Sequence, residues 1–168
     1  HESPRRGETF VTRKISLGLV SIVKGKNKKL FLGNLDSKRD WGHTKDSVEM
    51  QWLMMQQKKP DDYVISTGQQ YTVRDFIKWS CEFLGFKIKF IGKGVNETGV
   101  IDKIFIDNNY KIKEGKTIIK VQKKYFRPTE VSSLLGNSNK AKRRLGWKPK
   151  ISVKQLCKEM ITSDLQKF

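Results

Sequence analysis

HESPRRGETFVTRK, residues 1–14, opens with a histidine and a carboxylate and then sets Arg5, Arg6, Arg13 and Lys14 around a Gly7-Glu8-Thr9 break. Pro4 biases Ser3 toward extended backbone and Gly7 permits a tight reversal, so the stretch predicts a loop feeding a helix. Thr9 is the expected cap, and Ile15, Leu19, Ile22 and Val23 follow at helical spacing. Cations on a loop and on the first turns of a helix suit an anion, because free backbone N–H groups point to the same place. A solvated basic surface is the competing reading, and these residues alone leave both open.

Composition bounds what surrounds this stretch. The 168 residues fit one domain or part of a larger one, and 36% hydrophobic residues with four tryptophans exclude a wholly disordered chain. No apolar run approaches the ~20 residues of a membrane span, and there is no signal-peptide pattern. Cys81 and Cys157 fall on apolar helical faces and read as buried free thiols of a reducing compartment. With His1 and His43 the only histidines, no metal-ligand spacing emerges, and no metal site is expected. The net charge of +18 attracts polyanions. The lysines are nonetheless spread along the chain, with no helix-turn-helix, RNP-type aromatic pair or zinc-finger spacing. That weighs against a nucleic-acid module and for a lysine-rich enzyme surface handling anionic substrates.

Downstream, residues 30–32 read as a short strand ending at Gly33-Asn34, within LGNLDSKRDWGHTKD, residues 32–46. An Arg39 fork can grip a diphosphate with Asp40 holding the fork; the alternative is an Arg-Asp pair tying a loop to the scaffold. Trp41 reads as packing and His43 as a loop residue without chemistry. Thr44 is the expected cap of a helix with Val48, Trp52 and Met55 on its apolar face. Residues 63–67 suit a buried parallel strand. Thr72 and Asp75 then form a capping-box pattern before the apolar face of Val73, Phe76, Ile77, Ser80, Cys81 and Leu84, with Gly85 as the stop. Residues 86–90 alternate as a half-exposed strand, Gly92-Lys93-Gly94 is a turn, and residues 101–106 and 117–121 predict a hairpin. In YFRPTEV, residues 125–131, Arg127 and Glu130 lie three apart and both can face one ligand, the carboxylate on ribose hydroxyls and the guanidinium on phosphate. A capping glutamate beside a surface arginine is the competing reading. AKRRLGWKP, residues 141–149, closes a short helix at Gly146, and Ser152 with Gln155 caps a last amphipathic helix.

Residues 1–14, 32–46, 61–77, 125–131 and 141–149 together resemble, in order, the GDP-mannose 4,6-dehydratases of the extended short-chain dehydrogenase/reductase superfamily. The resemblance spans nearly the whole chain and implies an α/β fold: the C-terminal part of a Rossmann-like fold interleaved with a small α/β substrate-binding domain. Residues 44–85 would mainly return to the Rossmann-like sheet, with 1–43 and 86–168 mainly substrate-binding. It implies that roughly half the enzyme precedes His1, in keeping with the missing initiator methionine. The family oxidises the sugar at C4 with NADP, eliminates water across C5–C6 and returns the hydride to C6. The hydroxyl residue, glutamate, Tyr-x-x-x-Lys pair and glycine-rich loop this needs are not found here, and Glu2 and Glu8 do not substitute. No catalytic residue is therefore assigned, and the isolated chain is expected to be inactive. By family position, His1 and Arg6 are expected at NADP, and Lys14, Arg39, Arg127 and Glu130 at GDP-mannose. The complete protein is expected to be a cytoplasmic lyase and a homo-oligomer. The rivals are another sugar-nucleotide dehydratase or epimerase of the superfamily, or a basic nucleic-acid-binding domain with steep salt dependence.

Overall fold

The computed structural model describes residues 1–106, 109–126 and 131–167. Helix α1 (Val11–Val23) forms where the apolar spacing requires it, and Ile15, Leu19, Ile22 and Val23 are fully buried. Thr12, Arg13, Ser16 and Val20 are buried too, so the helix is sheathed well beyond one stripe. Its cap differs from expectation. Phe10, not Thr9, is the N-cap and makes no side-chain capping bond. A turn closed by the Phe10 N–H on the Gly7 carbonyl, 3.1 Å, sets the entry instead.

Two further helices pack on α1 and on each other: α3 (Val73–Phe83) and α5 (Val153–Lys167). Both begin with the expected reciprocal caps, Thr72 with Asp75 and Ser152 with Gln155. Their expected apolar residues all enter the core. The three helices back a four-stranded mixed sheet of β1 (Leu30–Leu32), β6 (Thr117–Val121), β5 (Thr98–Ile104) and β4 (Phe86–Ile91), in that order. β1 runs parallel to β6, and the other pairs are antiparallel. Along β4, Phe86 and Ile88 point into the core while Lys87 and Lys89 face out, as their alternation requires. The hairpin is present with a long arm, because β5 ends at Ile104 and β6 starts at Thr117. A smaller antiparallel ladder joins β2 (Lys38–Arg39) to β3 (Tyr71–Thr72).

A second, smaller core gathers Met50 of α2 (Thr44–Met55), Ala141 of α4 (Asn139–Leu145) and Trp147, with Leu53, Met54, Tyr63 and Ile65 against them. The Trp147 indole donates to the Asp46 carbonyl at 3.0 Å, and the Asp46 carboxylate accepts from the N–H groups of Lys150 and Ile151. Asp46 thus ties the Leu-Gly-Trp segment to α2. The chain crosses between the two cores repeatedly: α2 and Tyr63 lie in the second, α3 to β6 in the first, α4 in the second and α5 in the first.

Three expectations are corrected here. His43 rather than Thr44 caps α2, its Nδ1 accepting the Lys45 N–H at 3.0 Å. The face of α2 read as buried is its outer one: Val48, Trp52 and Met55 are 56%, 60% and 82% exposed. This helix is apolar on two sides, and the side covered within the chain is that of Met50, Leu53 and Met54. Residues 63–67 form no ladder among the described residues and are half-exposed, because no adjacent strand offers them hydrogen bonds. α3 is drawn to the main core by its face and by Val73 and Arg74 N–H bonds to the Ser37 and Leu35 carbonyls.

Both cysteines are buried and free, as expected. Burial pushes the Cys157 thiol up from 9.0 to about 12, although a Ser80 hydroxyl 3.2 Å away partly offsets it, and burial raises Cys81 as well. The folded chain holds these protons where the unfolded chain has released them. Their stabilisation is therefore complete below pH 9.0 and is lost as the pH rises toward about 12. The urea midpoint of the complete protein is expected to fall across that window, less steeply in Cys157→Ala. Equal slopes in the two proteins would contradict the burial.

Candidate functional site

A cleft of about 850 Å³ opens where the start of α1, the end of β1, β2 and the segments 64–66 and 134–136 meet. Arg6, Lys14 and Arg39, taken from two sequence segments, all line it. Lys14 is in the first turn of α1, its N–H bonded to the Phe10 carbonyl at 2.8 Å. Its ammonium lies 3.7 Å from the centre of the Tyr125 ring. Arg6 stacks over Phe10, 3.4 Å from the ring centre, and its Nε is buried without a hydrogen-bond partner, 3.5 Å from Glu2 Oε1. Arg39 donates from Nη1 to the carbonyls of Lys38 and Val131, both at 2.8 Å. These bonds to fixed backbone hold the guanidinium at the cleft wall.

The two carboxylates among the described lining residues, Glu2 and Asp40, serve the scaffold. Glu2 is buried and accepts from the Thr12 hydroxyl. Its backbone pairs with the Gly42 carbonyl and the Thr44 N–H, fastening the first residues to the start of α2. Asp40 accepts from the Thr67 N–H at 2.9 Å, the Thr67 hydroxyl at 2.5 Å and the Gly68 N–H at 2.9 Å. It anchors the loop after residue 66, the scaffold role that had been weighed for the Arg-Asp pair. Trp41 packs edge-on against Phe76, ring centres 5.5 Å apart, as expected.

Not every expected residue reaches this cleft. His1 lines a neighbouring cavity of about 200 Å³, its Nδ1 2.7 Å from the Ser47 hydroxyl, and the two spaces share Asp40, Ile65 and Ser66 as a common wall. Arg13 leaves the basic cluster altogether: it is buried and paired with Asp164 of α5. Arg127 and Glu130 lie outside the described residues. Val131, next in sequence to Glu130, is the residue whose carbonyl Arg39 binds. Sequence reasoning quoted Tyr125 without giving it a role. The available signal was an aromatic residue at the edge of a matched segment, two places before an arginine.

Solved structures sharing this fold include RMD from Pseudomonas aeruginosa complexed with NADPH. Its TM-score is 0.75 at 16% identity, over 100% of this chain and 46% of that one. UDP-glucuronic acid 4-epimerase from Bacillus cereus, in complex with UDP-glucuronic acid and NAD, gives 0.70 at 14% identity over 99% and 43%. These structures share the mixed α/β fold of this chain. Within it, the family model described as GDP-mannose 4,6 dehydratase matches residues 1–160, and the chain belongs to that family. The GDP-mannose 4,6-dehydratase of Vibrio cholerae is 52% identical over 166 residues, covering 99% of this chain and 45% of that protein. The human GDP-mannose 4,6 dehydratase is 46% identical over 167 residues, with 99% and 42% covered. The chain thus spans less than half the length of these relatives. The sister-epimerase reading is not favoured, since the relatives matching nearly the whole chain at 46–52% identity are GDP-mannose 4,6-dehydratases.

Proposed function

We propose that the polypeptide carrying this chain is a GDP-mannose 4,6-dehydratase, and that these 168 residues form its grip on the nucleotide sugar rather than its proton-transfer machinery. The observation that carries the reading is the convergence of Lys14 and Arg39 on one cleft beside Arg6. A diphosphate in that cleft would meet an ammonium and a backbone-braced guanidinium, the pairing of point charge and fork that suits phosphate oxygens. Arg127 and Glu130 complete the proposed grip, on phosphate and ribose respectively. NADP, when bound, supplies the hydride acceptor and donor within one turnover. Arg6 fits the cofactor's anionic end, because its buried Nε lacks a hydrogen-bond partner, and His1 is assigned to the same cofactor across the shared wall.

The remainder of the polypeptide, on this reading, brings the catalytic groups. It docks on the uncovered Val48, Trp52 and Met55 stripe of α2 and pairs with the extended backbone of residues 63–66. The complete protein is a cytoplasmic homo-oligomer. The complete coding sequence is expected to yield a protein that turns over GDP-mannose with catalytic NADP. Residues 1–168 expressed alone are expected to melt without cooperativity and to produce no 4-dehydro-6-deoxy sugar. Turnover by the 168-residue chain alone would overturn the assignment of catalysis to the rest of the polypeptide. A complete protein that leaves GDP-mannose unchanged would overturn the function.

A further inference from the structure

Tyr125 sits at the end of a short turn, residues 123–125, that follows β6. Its N–H bonds the Gln122 carbonyl at 3.0 Å, and the Gln122 N–H bonds the Leu32 carbonyl at 3.0 Å, so the turn is locked to the end of β1. The lock is tight. A Cβ at Gly33 would collide with the Tyr125 carbonyl oxygen, so a glycine is required for that approach. Tyr125 is 39% exposed and lines the cleft. Lys14 lies 3.7 Å from its centre and Lys124 lies 4.9 Å away.

A lysine in the first turn of a helix has four rotatable side-chain bonds and loses rotamer entropy when a ligand fixes it. A ring whose negative face holds the ammonium removes part of that loss before the ligand arrives. The attraction is electrostatic, so it needs the aromatic face and not the phenol hydroxyl. A second ammonium beside the same ring adds like charge, which a bound anion offsets.

We propose that Tyr125 is the positioning residue for Lys14, holding its ammonium in place for the diphosphate of a nucleotide ligand. The inference rests on the proposed nucleotide-sugar function of this cleft and names the residue that tunes it. Lys14 makes the anion contact and Tyr125 acts through it.

The test is a double-mutant cycle on GDP affinity, measured by calorimetry in the complete protein, with NADPH affinity of each variant as the check on folding. Tyr125→Leu is expected to weaken GDP binding roughly five- to tenfold, the range of a cation–π contact partly shielded from water. Tyr125→Phe is expected to stay within about twofold of wild type, because it keeps the ring. In the Lys14→Met background, Tyr125→Leu is expected to add no further loss, since the two residues act as one unit. Losses that add in the double variant would show that the ring acts independently of Lys14 and would overturn the proposal. A Phe variant as weak as the Leu variant would do the same. A wild-type protein that binds NADPH but not GDP would defeat the function itself, whereas GDP binding with an additive cycle would defeat the role of Tyr125 alone.

Discussion

Asp164→Ala is expected to cost the fold about 3–5 kcal/mol, the range for removing one partner of a buried ion pair. Asp164 is fully buried on α5 and Arg13 is 4% exposed on α1. Arg13 Nη1 meets both carboxylate oxygens and lies 3.3 Å from the Ser16 hydroxyl. Removing the carboxylate leaves a buried guanidinium without its counter-charge, unable to shed its own, because an arginine does not deprotonate in a protein. Replacing both residues by apolar ones of similar volume, Arg13→Met with Asp164→Leu, is expected to lose far less, since the desolvation of two charges disappears with their attraction. Urea unfolding of the complete protein and its variants measures both. A single variant within ~1 kcal/mol of wild type would mean that water reaches the pair.

Arg39→Ala is expected to weaken GDP-mannose binding by ~1.5–3 kcal/mol, the value of hydrogen bonds to a charged group, while NADP affinity stays nearly unchanged. The structure sharpens this expectation. The guanidinium is braced on the Lys38 and Val131 carbonyls, so Arg39→Lys is not expected to rescue binding: an ammonium cannot span two carbonyls and a phosphate with a planar fork. Calorimetry with each ligand separates the outcomes. Equal losses for GDP-mannose and NADP would assign Arg39 to the scaffold instead.

Local signals were the ones the sequence carried well. The caps at Thr72 and Ser152, the stop at Gly85 and the inward faces of α1, α3 and α5 all follow from periodicity and capping chemistry, which neighbours within a turn decide. The placement of Lys14 and Arg39 on one cleft came from the family resemblance, since nothing in local spacing joins residues so far apart. Most of what failed was long-range, although the caps expected at Thr9 and Thr44 failed locally. Arg13 reads as one more cation of a basic stretch until Asp164, 151 residues on, is folded against it. The α2 stripe reads as buried because a helix with two apolar sides gives no hint of which side its own chain covers. His43 was passed over as a cap because imidazole is a less common capping acceptor than the Thr44 hydroxyl beside it.

The interleaving of the two cores has a cost in time during synthesis. Met50 on α2 emerges early, but Trp147, which closes over that helix through the Asp46 carbonyl, is made 101 residues after the residue it bonds. At the ~5–20 residues per second of a ribosome, the lower face of α2 waits roughly 5–20 s for its lid. For those seconds α2 can lie against Tyr63 and Ile65 but not against Ala141 or Trp147. A nascent chain of this design keeps the Met50, Leu53 and Met54 side of α2 partly uncovered until the closing tryptophan arrives.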